Sequence, residues 1–124
     1  MQRSLLVAAG GVVGCLGRYW LAGVVQHVCD VDFPAGTLAV NVLGSLVIGI
    51  VMMLSIDRGL IDADLRILLT TGFCAGFTTM STFSYETIAL LRSGEHLLAL
   101  GNFAATNAAC FAAVWLGSVI ARIA

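Results

Sequence analysis

Three stretches of this chain carry no charged side chain: Phe33 to Ile56, Ile67 to Tyr85 and Leu97 to Ala121. About 20 helical residues cross the roughly 30 Å of hydrocarbon in a bilayer, so each run is near or above the length of one crossing. A fourth run, about Ser4 to Val28, is interrupted only by Arg18. Of the 124 residues 60% are apolar and 10% charged, and the mean hydropathy is +1.01. No soluble domain of this size has that composition. The chain reads as an all-α membrane protein, a single domain over residues 1–124 with four transmembrane helices at about 4–28, 33–56, 66–91 and 97–121. Four helices alone enclose a poor pore, which predicts an oligomer.

The first run raises the question of a leader, because Gln2-Arg3 precedes an apolar stretch and Val12-Val13-Gly14-Cys15 resembles a lipoprotein cleavage box. A lipoprotein continues as a soluble domain, whereas this chain continues into three further spans, so a retained first helix is expected. Cys15, Cys29, Cys74 and Cys110 show no CxxC spacing and read as small packing residues, with neither disulfide nor metal indicated. Breakers and charges place the connections at Cys29 to Ala35 with the sole proline, Asp57 to Asp64, and Arg92 to Glu95. All are short, so consecutive helices should run antiparallel as neighbours. Gly10 with Gly14 and Gly72 with Gly76 form small-xxx-small pairs that let helix backbones approach closely in lipid.

The polar residues inside the spans carry the functional signal. Six Ser or Thr residues lie between Thr78 and Thr87, and each hydroxyl in hydrocarbon costs a few kcal/mol unless it finds a partner. Gly72, Gly76 and the run Thr78, Thr79, Met80, Ser81, Thr82 together weaken helix stability and predict a break in the third span. Unwound backbone at membrane depth is tolerated only where it is buried or lines a watery cavity. Its free carbonyls can hold a cation, while half-helix N-termini favour anions. Met80 and Phe83 are one turn apart, and the positive edge of a phenylalanine ring can favour a small anion; two ordinary core residues are the bland alternative.

Asn41 in the second span is either an interhelical hydrogen bond or a donor facing a polar path. Asn102, Thr106 and Cys110 recur every four residues and form one stripe on the fourth span, with Asn107 beside it, as packing glue or as pore lining. Arg18 can snorkel to the interface or hold an electropositive vestibule. Glu86, closing the third span, reads as a structural partner or interface carboxylate before a proton carrier. The net charge of −1, with no lysine, excludes a basic nucleic-acid surface. Arg3, Arg58, Arg66 and Arg122 fall on one side against Arg92 on the other, which favours a cytoplasmic N-terminus, although Asp57, Asp62 and Asp64 offset them.

Three segments together resemble a known family. Gly10-Gly11-Val12-Val13-Gly14-Cys15-Leu16-Gly17-Arg18-Tyr19, then Gly36-Thr37-Leu38-Ala39-Val40-Asn41-Val42-Leu43-Gly44, then Gly76-Phe77-Thr78-Thr79-Met80-Ser81-Thr82-Phe83-Ser84-Tyr85-Glu86 resemble, in order and spacing, the Fluc (CrcB) family of microbial fluoride channels. The match covers essentially the whole chain, and the third segment is the most specific. The resemblance implies a multi-pass protein of the bacterial cytoplasmic (inner) membrane that passively exports fluoride. It implies an antiparallel, dual-topology homodimer with two fluoride pores and a structural sodium ion at the dimer centre.

By the same resemblance, Asn41 corresponds to the pore-lining asparagine and Phe83 to the second of two pore phenylalanines. Ser81 and Thr82 correspond to the polar track, which Thr79 adjoins, and Arg18 to the first-helix arginine. Thr106 and Cys110 lie on the pore face of the fourth helix, and the backbone carbonyls of about Ala75 and Thr78 would hold the sodium. Met80 stands where a phenylalanine is usual and replaces a ring edge with a flexible thioether. Ala75 stands where glycine is common.

Two other classes share some of these features. A small multidrug transporter also has four helices and dual-topology dimers, but its proton exchange needs a carboxylate in the middle of the first helix, where this chain has Arg18 and no acid. An unselective pore-forming or assembly subunit would not need the ordered polar motifs.

Overall fold

A computed structural model describes residues 1–124. The chain forms α1 (Gln2–Cys29), α2 (Ala35–Met52), α3 (Ala63–Ile67), α4 (Ala75–Phe77), α5 (Met80–Arg92) and α6 (His96–Ile123). Two π-helical stretches, Met53–Asp57 after α2 and Leu68–Cys74 between α3 and α4, complete it. Gln2–Cys29, Ala35–Asp57 and His96–Ile123 are long and apolar enough to cross a membrane. The all-helical class is thus the one the hydropathy predicts. The remaining stretch, 66–91, is mostly helical but divided, and no one helix in it reaches that length.

The turns follow local chemistry. Asp30 closes α1 in the left-handed region at φ 45° and ψ 49°, and Gly94 turns the chain from α5 to α6 at φ 84°. Gln26 ties the first turn shut: its Nε2 donates to the carbonyls of Val31 (2.8 Å) and Phe33 (3.1 Å), and its Oε1 accepts from Gly36 N at 3.1 Å. The Asp62 carboxylate caps α3 by accepting from Leu65 N at 2.7 Å. At the same end of the bundle, Arg58 Nη1 donates to the Ala121 carbonyl at 2.9 Å, placing a cation on the α6 C-terminus. Arg3 pairs there with Asp64 at 3.3 Å, an exposed ion pair of little stabilising weight.

Glycines set the helix spacing. A Cβ on Gly49 would strike the Val114 carbonyl and one on Gly117 the Leu46 carbonyl, so α2 and α6 touch backbone to backbone. The two small-xxx-small pairs also meet each other. A Cβ added at Gly72 would lie 3.0 Å from Gly10 Cα, and one at Gly76 would lie 2.8 Å from Gly11 O. Close approach replaces the hydrophobic effect as the packing force in lipid, and small residues make it possible. Outside these seams the single chain exposes large apolar side chains, among them Tyr19, Trp20, Leu97, Phe111 and Trp115, as a surface facing lipid or another subunit does.

Candidate ion path at the interrupted third segment

Between α4 and α5 the backbone leaves the helix for two residues. Thr78 has φ −89° and ψ 161°, and Thr79 has φ −153° and ψ 108°, both extended. Asn41 of α2 bridges this point with both ends of its amide: Nδ2 donates to Thr79 O at 3.2 Å, and Oδ1 accepts from Thr79 N at 2.7 Å. Asn41 is 8% exposed, so a side-chain amide inside the bundle substitutes for the lost helical partners of one extended residue. One amide proton of Asn41 remains unused.

Thr79 also caps α5. Its Oγ1 accepts from Thr82 N at 3.2 Å and bonds the hydroxyls of Thr82 (2.9 Å) and Ser81 (3.2 Å). Thr82 accepts the Thr79 proton and keeps its own. The carbonyls on the other side of the interruption lose their usual partners. Thr79 N–H, which a continuous helix would give to Ala75 O, goes to Asn41, and Thr82 N–H, due to Thr78 O, goes to Thr79 Oγ1. Thr78 O accepts no hydrogen bond within the chain. Two carbonyl oxygens released in this way are the donor type that a hard cation takes. The amides opening α5 lie on the positive end of its dipole.

A cavity of about 420 Å³ opens beside the interruption. Of the residues singled out in the sequence, Asn41, Cys74, Ala75, Thr78, Thr79, Met80, Phe83, Thr106, Asn107 and Cys110 line it. Ser81 and Thr82 are not among the lining residues and join through their bonds to Thr79. Arg18 does not line it either; on α1 its Nη2 lies 4.0 Å from Cys15 Sγ. Phe83 is 3% exposed and stacks on Phe103 of α6 with ring centroids 6.4 Å apart. Met80 is 69% exposed, so the thioether hangs free where Phe83 is held.

The sequence reading missed Ser45, Ile48 and Thr70, which also line the cavity. Ser45 and Ile48 are four and seven residues beyond Asn41 and share its helix face, a signal that was available. Thr70 precedes Cys74 by four residues and Thr78 by eight, the same kind of signal, and it keeps this spacing although Leu68–Cys74 is π-helical. Glu86 receives the Thr37 hydroxyl proton on Oε1 at 2.8 Å, as a structural partner joining α5 to the start of α2.

These features define a multi-pass helical membrane protein with a largely apolar cavity, carrying a few polar groups, at an interrupted segment. Residues 5–118 match the profile of the family described as CrcB-like protein, Camphor Resistance (CrcB). The chain belongs to the CrcB family. It is 49% identical over 122 residues to a protein of Geobacter metallireducens, 44% to one of Geotalea uraniireducens and 42% to one of Pyrococcus abyssi. Each alignment covers 98% of this chain and 98% of the relative, and each relative is named fluoride-specific ion channel FluC.

Proposed function

We propose that this protein is a fluoride-selective channel that passively exports fluoride from the cytoplasm across the bacterial cytoplasmic membrane and so relieves fluoride toxicity. It performs no enzymatic chemistry. The observation that carries the reading is the Asn41 bridge over Thr79, which keeps an interrupted backbone intact beside a cavity. The full-length likeness to proteins named as fluoride channels supplies the identity of the ion.

The donors suit a small, hard anion. The spare amide proton of Asn41 and the α5 N-terminus act together with the Phe83 ring. The Thr82 hydroxyl, which keeps its proton, continues the track, with Ser81 holding Thr79 in place by donating to it. Fluoride sheds its hydration only where several donors replace it at close range, and a larger halide gains less from the same spacing. The absence of any acid on α1 argues against a proton-coupled cation exporter, which needs a carboxylate there to carry its proton.

Residues 66–91 then make the third of four spans, broken at Thr78 and Thr79, and two oppositely oriented copies form the channel with two pores. Opposed copies bring both interruptions to the centre, where the Ala75 and Thr78 carbonyls of each would hold one sodium ion. When bound, that ion would supply fixed positive charge to otherwise unpaired carbonyls. Arg18 serves a vestibule near the far end of α1, and Thr106 and Cys110 line the α6 side of each pore.

Liposomes holding the purified protein are expected to release fluoride and retain chloride; equal flux of the two ions would sink the reading. Dual topology has its own test. A cysteine added after Ala124, in a background lacking the native cysteines, should be labelled in about half the molecules from either face of the membrane, since orientation rules decide only for strong charge biases. Labelling from one face only would replace the homodimer with a pair of distinct subunits.

A further inference from the structure

A second polar network lies behind the cavity wall, between α5 and α6, and its proton directions are fixed by chemistry. Thr87 Oγ1 donates to the Phe83 carbonyl at 2.8 Å. A carbonyl can only accept, so the Thr87 proton is committed there. Thr87 therefore accepts from Asn102, which requires Nδ2 at that 2.9 Å contact. The Asn102 oxygen then faces Thr106, which has to donate to it at 3.2 Å. Asn102 is 1% exposed and Thr106 5%. No alternative amide orientation satisfies all three contacts.

We propose that Asn102 is a positioning residue of the ion path: it withdraws the Thr106 hydroxyl proton from the cavity. Thr106 lines the cavity one turn beyond Asn102 but offers an anion no donor there. On α6 the donor left at the cavity is the amide of Asn107, which gives one proton to the Phe103 carbonyl at 2.7 Å and keeps the other; the remaining donors are those of α2 and α5. The same network ties the Phe83 backbone to α6, so Asn102 sets both the polarity of one wall and the anchorage of the ring. This inference rests on the fluoride-channel reading above. If parent liposomes fail to prefer fluoride, that reading fails first; if the parent is selective and the variants below behave otherwise, only the Asn102 role falls.

Asn102→Asp is the primary test, because a neutral carboxylic acid reproduces the amide's order, with an O–H towards Thr87 and a C=O towards Thr106, whereas the ionised form accepts only. Near neutral pH its fluoride flux should fall by about tenfold relative to the parent at the same pH, and the ratio should climb back towards the parent's as the pH is lowered and the carboxyl takes up its proton. Asn102→Leu, uncharged but unable to donate or accept, should stay low at both pH values.

The other titratable groups on the two helices, Tyr85, Glu86 and Arg92 on α5 and His96, Cys110 and Arg122 on α6, are common to the parent and variants, and α2 carries none. Ratios to the parent, each corrected for the leak of protein-free vesicles, therefore isolate the introduced carboxyl. Thr87→Val and Thr87→Ser extend the test to milder changes: Ser keeps the hydroxyl and should conduct as the parent, while Val releases the Asn102 amide and should lose about fivefold. The proposal is overturned if Asn102→Leu conducts as the parent, if the pH profile of Asn102→Asp parallels the parent's, or if Thr87→Val matches Thr87→Ser.

Discussion

Replacing Phe83 with isoleucine is expected to cut fluoride release from proteoliposomes by about tenfold or more, equivalent to about 1.4 kcal/mol on the barrier to passage. The change keeps a buried apolar side chain at a position only 3% exposed, so most of the packing survives. What disappears is the ring, which lines the cavity and stacks on Phe103 at 6.4 Å. Its neighbour gives the converse test. Met80 is largely exposed at the cavity, and Met80→Phe restores a second ring edge where a flexible thioether now hangs, so it should keep or raise throughput. Parallel flux measurements, with elution profile and melting temperature as folding controls, separate the two roles. If Phe83→Ile conducts as the parent while remaining folded, Phe83 is core packing and the ion is held elsewhere.

How much of this was legible in the sequence depends on which force writes each feature. The three long helices are legible because lipid demands unbroken apolar runs, and the charged residues that end those runs also end the helices: Asp57 closes the second run, and Glu95 is the N-cap of α6. The weak point near Thr78 is legible because glycines and hydroxyls cluster where a stable helix would not carry them. The mutual contact of the two glycine pairs is only half legible, since spacing says that a face is smooth but not which face it meets. Asn41 is legible as a partner or a donor, and the structure has it bonding across the interruption with one proton to spare. The π-helical stretches are not legible, because no residue type marks them: Leu68–Cys74 packs on α1, whereas Met53–Asp57 adjoins α2 and α6.

The Asn102 network marks the same limit: the four-residue stripe of Asn102, Thr106 and Cys110 reads from sequence as glue or lining without distinguishing them. Direction enters only with Thr87 and the Phe83 carbonyl, which belong to a different helix. A stripe can be both, with Asn102 fully enclosed and Thr106 at the cavity wall.

The largest expected effect on folding belongs to a glycine. Gly49→Val places a branched side chain where even a Cβ would overlap the Val114 carbonyl of α6. A carbonyl in a helix cannot move aside as a side-chain tip can, so α2 and α6 have to separate along the seam where Gly117 also meets the Leu46 carbonyl. The overpacking alone costs about 3 kcal/mol. Separation also forfeits the close contacts that stand in for hydrophobic attraction within lipid, and it pulls Asn41 on α2 away from Thr106 on α6 across the cavity. Purified Gly49→Val should therefore aggregate or melt far below the parent in detergent. Gly101→Val on α6 introduces the same side chain where an added Cβ meets nothing within 4 Å, so it controls for the helix-propensity change. Equal melting temperatures for the two variants would show that α2 and α6 are not held at backbone contact and would remove the support on which the cavity geometry rests.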